Sequence, residues 1–213
     1  MQVRIFQFNM LAESTYVLAD SNSDIAVVVD PGAFSEKERK CLDEYIDSLS
    51  VKDVVVLLTH SHLDHIFGVA HLVDRYKARV YAHKLEEQYM FMNSHLCDSW
   101  RIPEPDSFEV TDYIKGGDEL TFGDLRVLVL DVPGHSAGGL AYYLPDEKMV
   151  FTGDALFAGS MGRTDFPGGG EAQLWDSLRN QLMRLPDDTQ VLPGHGLDTT
   201  IGRERGWVLG RSF

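Results

Sequence analysis

The chain has 213 residues, 44% of them hydrophobic and 24% charged, with a formal net charge of -14 at pH 7. That balance suits a globular fold with a core of two to four layers, while an acidic chain without a basic run excludes a nucleic-acid partner, whose phosphates are met by clustered Lys and Arg. Cys41 and Cys97 make no disulfide framework, MQVRIFQFNM lacks the basic start and apolar run of a secretory signal, and no apolar stretch approaches the roughly 20 residues of a membrane span; a reduced cytoplasmic protein without a membrane partner is expected.

In chain order, the segments around Val3 to Phe8, Thr15 to Leu18 and Ile25 to Val29 read as strands, the last stopped by Asp30-Pro31-Gly32. Ser35 and Glu38 have the spacing of a capping box, and Cys41, Leu42, Tyr45, Ile46 and Leu49 then form one helical stripe. Val54 to Leu58 is short, largely β-branched and bounded by polar residues, as expected of a central strand buried on both faces. Ile66, Val69, Ala70, Val73 and Tyr76 follow helical spacing, Arg79 to Ala82 reads as a strand, and Leu85 to Leu96 as a helix that leads into a Pro103/Pro105 loop. Leu120 to Phe122, Leu125 to Asp131, Leu140 to Leu144 and Met149 to Phe151 alternate with turn residues, the pattern of antiparallel strands. Leu174, Trp175, Leu178, Leu182 and Leu185 predict a helix, and Gln190 to Leu192 a last strand that ends at Pro193-Gly194-His195. Two groups of strands, each with helices beside it, predict an α/β protein: a four-layer αββα sandwich of two mixed sheets flanked by helices, one domain over residues 1–213.

His60-Ser61-His62-Leu63-Asp64-His65 packs three imidazoles and one carboxylate into six residues. Such donors suit Zn, Fe or Mn, and a two-metal site takes about six or seven protein ligands when solvent fills the remaining positions. Taken alone, the segment also fits a solvated His-rich turn. His135, Asp154 and His195 weigh against that reading, because each lies just past a predicted strand and each follows a glycine. Asp30, at another strand end, is read as the acceptor that orients a metal-bound histidine, with capping of its own turn as the alternative. Two cations that share a solvent molecule lower its pKa, so no Ser or Cys nucleophile is required; Asp64 and Asp154 are the candidate catalytic carboxylates. A thiolate leaves without a strong general acid, since free cysteine has a pKa of about 8.5, and a thioester therefore fits a site with no evident acid.

The order of these residues resembles the metallo-β-lactamase superfamily, whose H-x-H-x-D-H motif matches His60 to His65 and whose later His, Asp and His match His135, Asp154 and His195. The resemblance implies that His60, His62 and His135 hold one metal, that Asp64, His65 and His195 hold the other, and that Asp154 bridges them. Asp154 with His65, together with Gly162-Arg163-Thr164-Asp165-Phe166-Pro167-Gly168-Gly169 and Leu192-Pro193-Gly194-His195-Gly196, is similar to the short, single-domain bacterial members of the glyoxalase II branch. What this implies is a hydrolase for a small-molecule thioester, with S-lactoylglutathione the first candidate, and two divalent metal ions, zinc first with iron or manganese as alternatives. Arg163 is the candidate clamp for a substrate carboxylate, the alternative being a pair with Asp165. His83, Tyr89 and Met92 are candidates for pocket lining or core, and His71 and His95 for structural or surface roles. Rival activities on the same fold are a mononuclear-iron dioxygenase acting on glutathione persulfide and a lactone or phosphodiester hydrolase. A monomer or homodimer is expected.

Overall fold

The computed structural model describes residues 1–20 and 23–210, with the side chains of 91–96 and 100 outside the description. Two compact units divide the chain: Met1–Tyr113 with Phe122–Leu125, and Ile114–Thr121 with Arg126–Phe213. In the first, a six-stranded mixed sheet runs in the order β1 (Gln2–Phe8), β2 (Glu13–Ala19), β3 (Ile25–Val29), β4 (Asp53–Leu57), β5 (Arg79–Ala82) and β6 (Asp112–Tyr113). The β1-β2-β3 pairings are antiparallel and the β3-β4-β5-β6 pairings parallel. Parallel neighbours need a crossover. Helix α1 (Glu36–Ser48) supplies the one between β3 and β4, and α2 (Leu63–Ile66) with α3 (Val69–Tyr76) the one between β4 and β5.

Val17, Ala26, Val28, Val54, Val56 and Val80 on one sheet face share a core with Leu42 and Ile46 of α1 and Val69 and Leu72 of α3. The alternate residues Leu18, Val27, Val29, Val55 and Leu57 are also buried, which is why β3 and β4 are apolar without alternation. Ser35 and Glu38 form the expected capping box: the Ser35 hydroxyl accepts from the Glu38 amide and the Glu38 carboxylate from the Ser35 amide. Cys41, expected on the buried stripe, is exposed; Leu42 and Ile46, one turn apart, carry the packing instead. Helix α4 (Glu87–Trp100) follows a short 3-10 turn at Lys84–Glu86.

In the second unit a six-stranded mixed sheet has the order β14 (Thr199–Thr200), β13 (Gln190–Pro193), β10 (Met149–Gly153), β9 (Leu140–Leu144), β8 (Leu125–Asp131) and β7 (Glu119–Phe122). The meander β8-β9-β10 is antiparallel as expected, and β13 joins β10 in parallel. A separate small hairpin joins β11 (Leu156–Phe157) to β12 (Ser160–Met161). Helices α5 (Glu171–Asn180) and α6 (Ile201–Gly210) pack Leu174, Trp175, Leu178, Ile201 and Val208 against Ala141, Tyr143, Val150 and Val191. The helix predicted to reach Leu185 ends at Asn180, and Leu182 falls in a 3-10 turn at Leu182–Arg184; both leucines are buried there all the same. Two mixed sheets flanked by helices are the predicted architecture.

Candidate metal centre

The first unit gathers four of the predicted ligands on the loop that leaves β4. Strand β4 ends at Leu57 and hands the chain to Thr59, whose amide donates to Asp30 Oδ1 at 2.7 Å and whose hydroxyl donates to Asp30 Oδ2 at 2.5 Å. Asp30 lies just beyond the parallel neighbour β3 and adopts a left-handed backbone with φ of 47°, a conformation in which Asp is enriched. Its carboxylate is acceptor-only, and this settles the tautomers. The hydroxyl proton of Thr59 is committed to Asp30, so Thr59 Oγ1 accepts from His60 Nδ1–H at 3.0 Å; Asp30 Oδ2 also accepts from His65 Nδ1–H at 3.0 Å. Both imidazoles are thereby assigned a proton on Nδ1 and a lone pair on Nε2. Asp30 Oδ, His60 and His65 lie within 4.8 Å of one another, but an ion among them would displace these bonds, and Asp30 serves to orient rather than to ligate.

His60 and His65 are buried, and the His60 ring lies 4.6 Å from that of His62 and 4.1 Å from that of His65, centre to centre. His62, half-buried and extended at φ -64° and ψ 150°, opens α2. His65 Nε2 and Asp64 Oδ2 are 3.6 Å apart, too far for a hydrogen bond and suited to two donors facing one ion. Ser61 fixes the loop from the other side: its amide and hydroxyl both donate to the buried carboxylate of Glu86, at 2.8 and 2.9 Å.

The second unit gathers the other three. His135 follows β8 through Pro133-Gly134, and its Nδ1–H donates to the carbonyl oxygen of Arg163 at 2.8 Å, which again leaves Nε2 as the lone-pair atom. Gly134 has φ of 128°, and a Cβ there would collide with the backbone of Leu174, so no other residue fits. Asp154 follows β10 and His195 follows the parallel neighbour β13, and the Gly194 amide ties the two loops by donating to the Gly153 carbonyl at 2.8 Å. Asp154 Oδ2 lies 3.6 Å from His135 Nε2 and 3.7 Å from His195 Nε2. One carboxylate oxygen is thus flanked almost equally by two imidazole nitrogens.

Arg163 does not stand free as a clamp. Its guanidinium makes two bonds to the Asp165 carboxylate, at 2.7 and 2.6 Å, and lies 4.5 Å over the Phe166 ring, which packs perpendicular to the His135 ring with centres 5.6 Å apart. Both charges are solvent-exposed, and the pair holds the Asp165 carboxyl down at about 2. His71 pairs with Asp43 at 2.9 Å, the expected structural role, and His83 caps the 3-10 turn by accepting from the Leu85 amide. Tyr89 is half-buried; the side chains of Met92 and His95 lie outside the described residues. Sequence reasoning missed Thr59, Glu86 and the Arg163 carbonyl. A hydroxyl residue directly before the first ligand was the available signal for Thr59, whereas a backbone carbonyl has none.

The model of the metallo-β-lactamase superfamily matches residues 10–195. The chain belongs to this superfamily of metal-dependent hydrolases. Within the superfamily, the hydroxyacylglutathione hydrolase GloC of Haemophilus influenzae is 30% identical over 207 residues, which cover 96% of this chain and 95% of the relative. Among solved structures, TTHA1623 in a di-iron-bound form is 35% identical with a TM-score of 0.81, covering 95% of this chain and 96% of the other. ETHE1 from Myxococcus xanthus is 31% identical with a TM-score of 0.79, covering 100% and 86%. Among the described residues, no helix is long and apolar enough to cross a membrane.

Proposed function

We propose that this superfamily member is a binuclear metal-dependent thioesterase, acting on a small-molecule thioester of the S-lactoylglutathione kind. Asp154 Oδ2, between two imidazole nitrogens at 3.6 and 3.7 Å, is the observation that carries the reading: a carboxylate so placed in a hydrolase fold is suited to two cations rather than one. His60, His62 and His135 would hold the first ion, Asp64, His65 and His195 the second, with Asp154 shared. The bound pair, zinc by preference with iron or manganese accepted by the same donors, would supply Lewis acidity and an activated water. The likeness to GloC and to a di-iron protein supports both the substrate class and the metal count.

What the chain's own residues contribute follows from their bonds. Asp30 and the Arg163 carbonyl hold His65 and His135 by Nδ1–H, so each ring presents Nε2 without reorganisation. Asp64 and Asp154 are the carboxylates of the proposed set and the groups able to take a proton from an attacking water. No general acid is needed for a thiolate leaving group. Arg163, exposed on the loop that carries the His135 acceptor, is proposed to exchange Asp165 for a substrate carboxylate; a solvent-screened pair is weak enough to trade.

Metal content of the purified protein, read with S-lactoylglutathione hydrolysis before and after chelation, tests this. Two metals per chain with activity lost on chelation and regained on reloading are expected. One iron per chain, with oxygen consumed on glutathione persulfide and no thioester cleaved, would replace the reading with the dioxygenase.

A further inference from the structure

The β1-β2 hairpin contains a buried polar chain that the proposed ligands do not use. Glu13 and Thr15 on β2 are fully buried. The Thr15 hydroxyl oxygen lies 2.8 Å from Glu13 Oε2 and 2.9 Å from the Asp30 carbonyl oxygen, and it accepts from the Gly32 amide at 2.9 Å. In the turn between β1 and β2, Asn9, itself left-handed at φ 54°, donates from Nδ2 to the Gly32 carbonyl and to the Asp64 carbonyl, both at 3.0 Å. Gly32 is wedged among these groups: a Cβ there would strike the Glu13 carboxyl and the Asp64 carbonyl. One hairpin thus grips both the Asp30-Pro31-Gly32 turn, which aims His65, and the backbone of Asp64.

We propose that Glu13, Thr15 and Asn9 are positioning residues for Asp64 and His65, with Thr15 tying the buried Glu13 side chain to the Asp30-Pro31-Gly32 turn. Thr15 is the hub of the chain: its hydroxyl oxygen meets Glu13 Oε2, the Asp30 carbonyl and the Gly32 amide, and all of these groups are buried or part-buried, so removing the hydroxyl or the Glu13 carboxyl unties β2 from the turn that aims His65.

The inference rests on the two-metal reading for its meaning, but its test does not need a substrate. Metal-loaded wild type, Thr15→Val, Glu13→Leu, Glu13→Gln and Asn9→Ala would be titrated with a competing chelator, and the His65 Nδ1–H followed as a slowly exchanging downfield proton resonance. Thr15→Val and Glu13→Leu should release one metal equivalent about tenfold more readily, the lower end of what loss of a supporting partner costs, and should speed exchange of the His65 proton. Glu13→Gln, whose amide can still hydrogen-bond Thr15, should restore both. Unchanged release and exchange in Thr15→Val, or a lowered melting temperature with neither altered, would overturn the positioning role. Glu13→Gln as impaired as Glu13→Leu would overturn the part given to the Glu13–Thr15 hydrogen bond. If the wild type binds metal but cleaves no thioester, the proposed substrate fails and these outcomes remain readable.

Discussion

The two groups of candidate ligands, one in each unit, are built in opposite ways. In the first unit, His60, His62, Asp64 and His65 come from six consecutive residues, and the side chains of Asp30 and Thr59 aim two of them. In the second, His135, Asp154 and His195 come from three separate loops, and main-chain groups hold them: the Arg163 carbonyl on His135 and the Gly194 to Gly153 bond between the other two loops. A contiguous cluster must be oriented by side chains brought from neighbouring strands, so its support is open to mutation. A dispersed set sits where its strand ends put it, and its support is largely backbone.

Asp154→Asn attacks the oxygen both proposed ions share, and should lower kcat/KM beyond the roughly 10–100-fold that loss of an outer partner costs, with bound metal falling toward one per chain; full activity with two metals would dissolve the bridging role. Asp30→Asn comes next. Its amide cannot accept from both Thr59 and His65 on one oxygen while keeping the other bond, so metal affinity should drop about 10–100-fold by chelator competition. No single side-chain change should do the same to His135, because its acceptor is a carbonyl. Arg163→Ala tests that contrast: metal content should stay at the wild-type value while KM for a carboxylated thioester rises roughly tenfold, and a loss of metal instead would mean that the loop depends on the side chain pair.

The smallest effect concerns Glu13. An unfolded chain gives up this proton near the ordinary glutamate value of 4.5, whereas the buried group, raised well above it, keeps the proton. Wild type therefore binds more protons folded than unfolded above that pH and loses stability as pH rises through the window between the two values. Glu13→Gln lacks this dependence and should gain about 2–4 °C in melting temperature on wild type between mildly acidic and neutral pH. Parallel melting curves of the two proteins would contradict a neutral Glu13.

Much of the fold was legible where a local pattern was strong. The apolar run Ile25 to Val29 is β3 as read, Arg79 to Ala82 is β5, and Ser35 with Glu38 caps α1. The two-residue strands β6, β11, β12 and β14 were not legible, because a pair of residues carries no alternation; sheet neighbours define them. Helix α6, which packs Val208 and buries Glu204, was not among the elements expected from the sequence. In the site, imidazoles and carboxylates at strand ends announced themselves by type and by the glycines before them. Thr15 and Glu13 did not, since a hydroxyl or a lone acid inside a strand looks like any other residue until its neighbour is known.

By itself the sequence determined which side chains can ligate, which segments are buried strands, and that each ligand follows a strand, since these depend on residue chemistry and on periods of a few residues. The tertiary structure alone decided which ring nitrogen carries the proton, which histidine Asp30 orients, and that Arg163 acts on His135 through its carbonyl. Hydrogen bonds between residues 25 to 50 positions apart are fixed by sheet register, and register is a property of paired strands that no single strand contains.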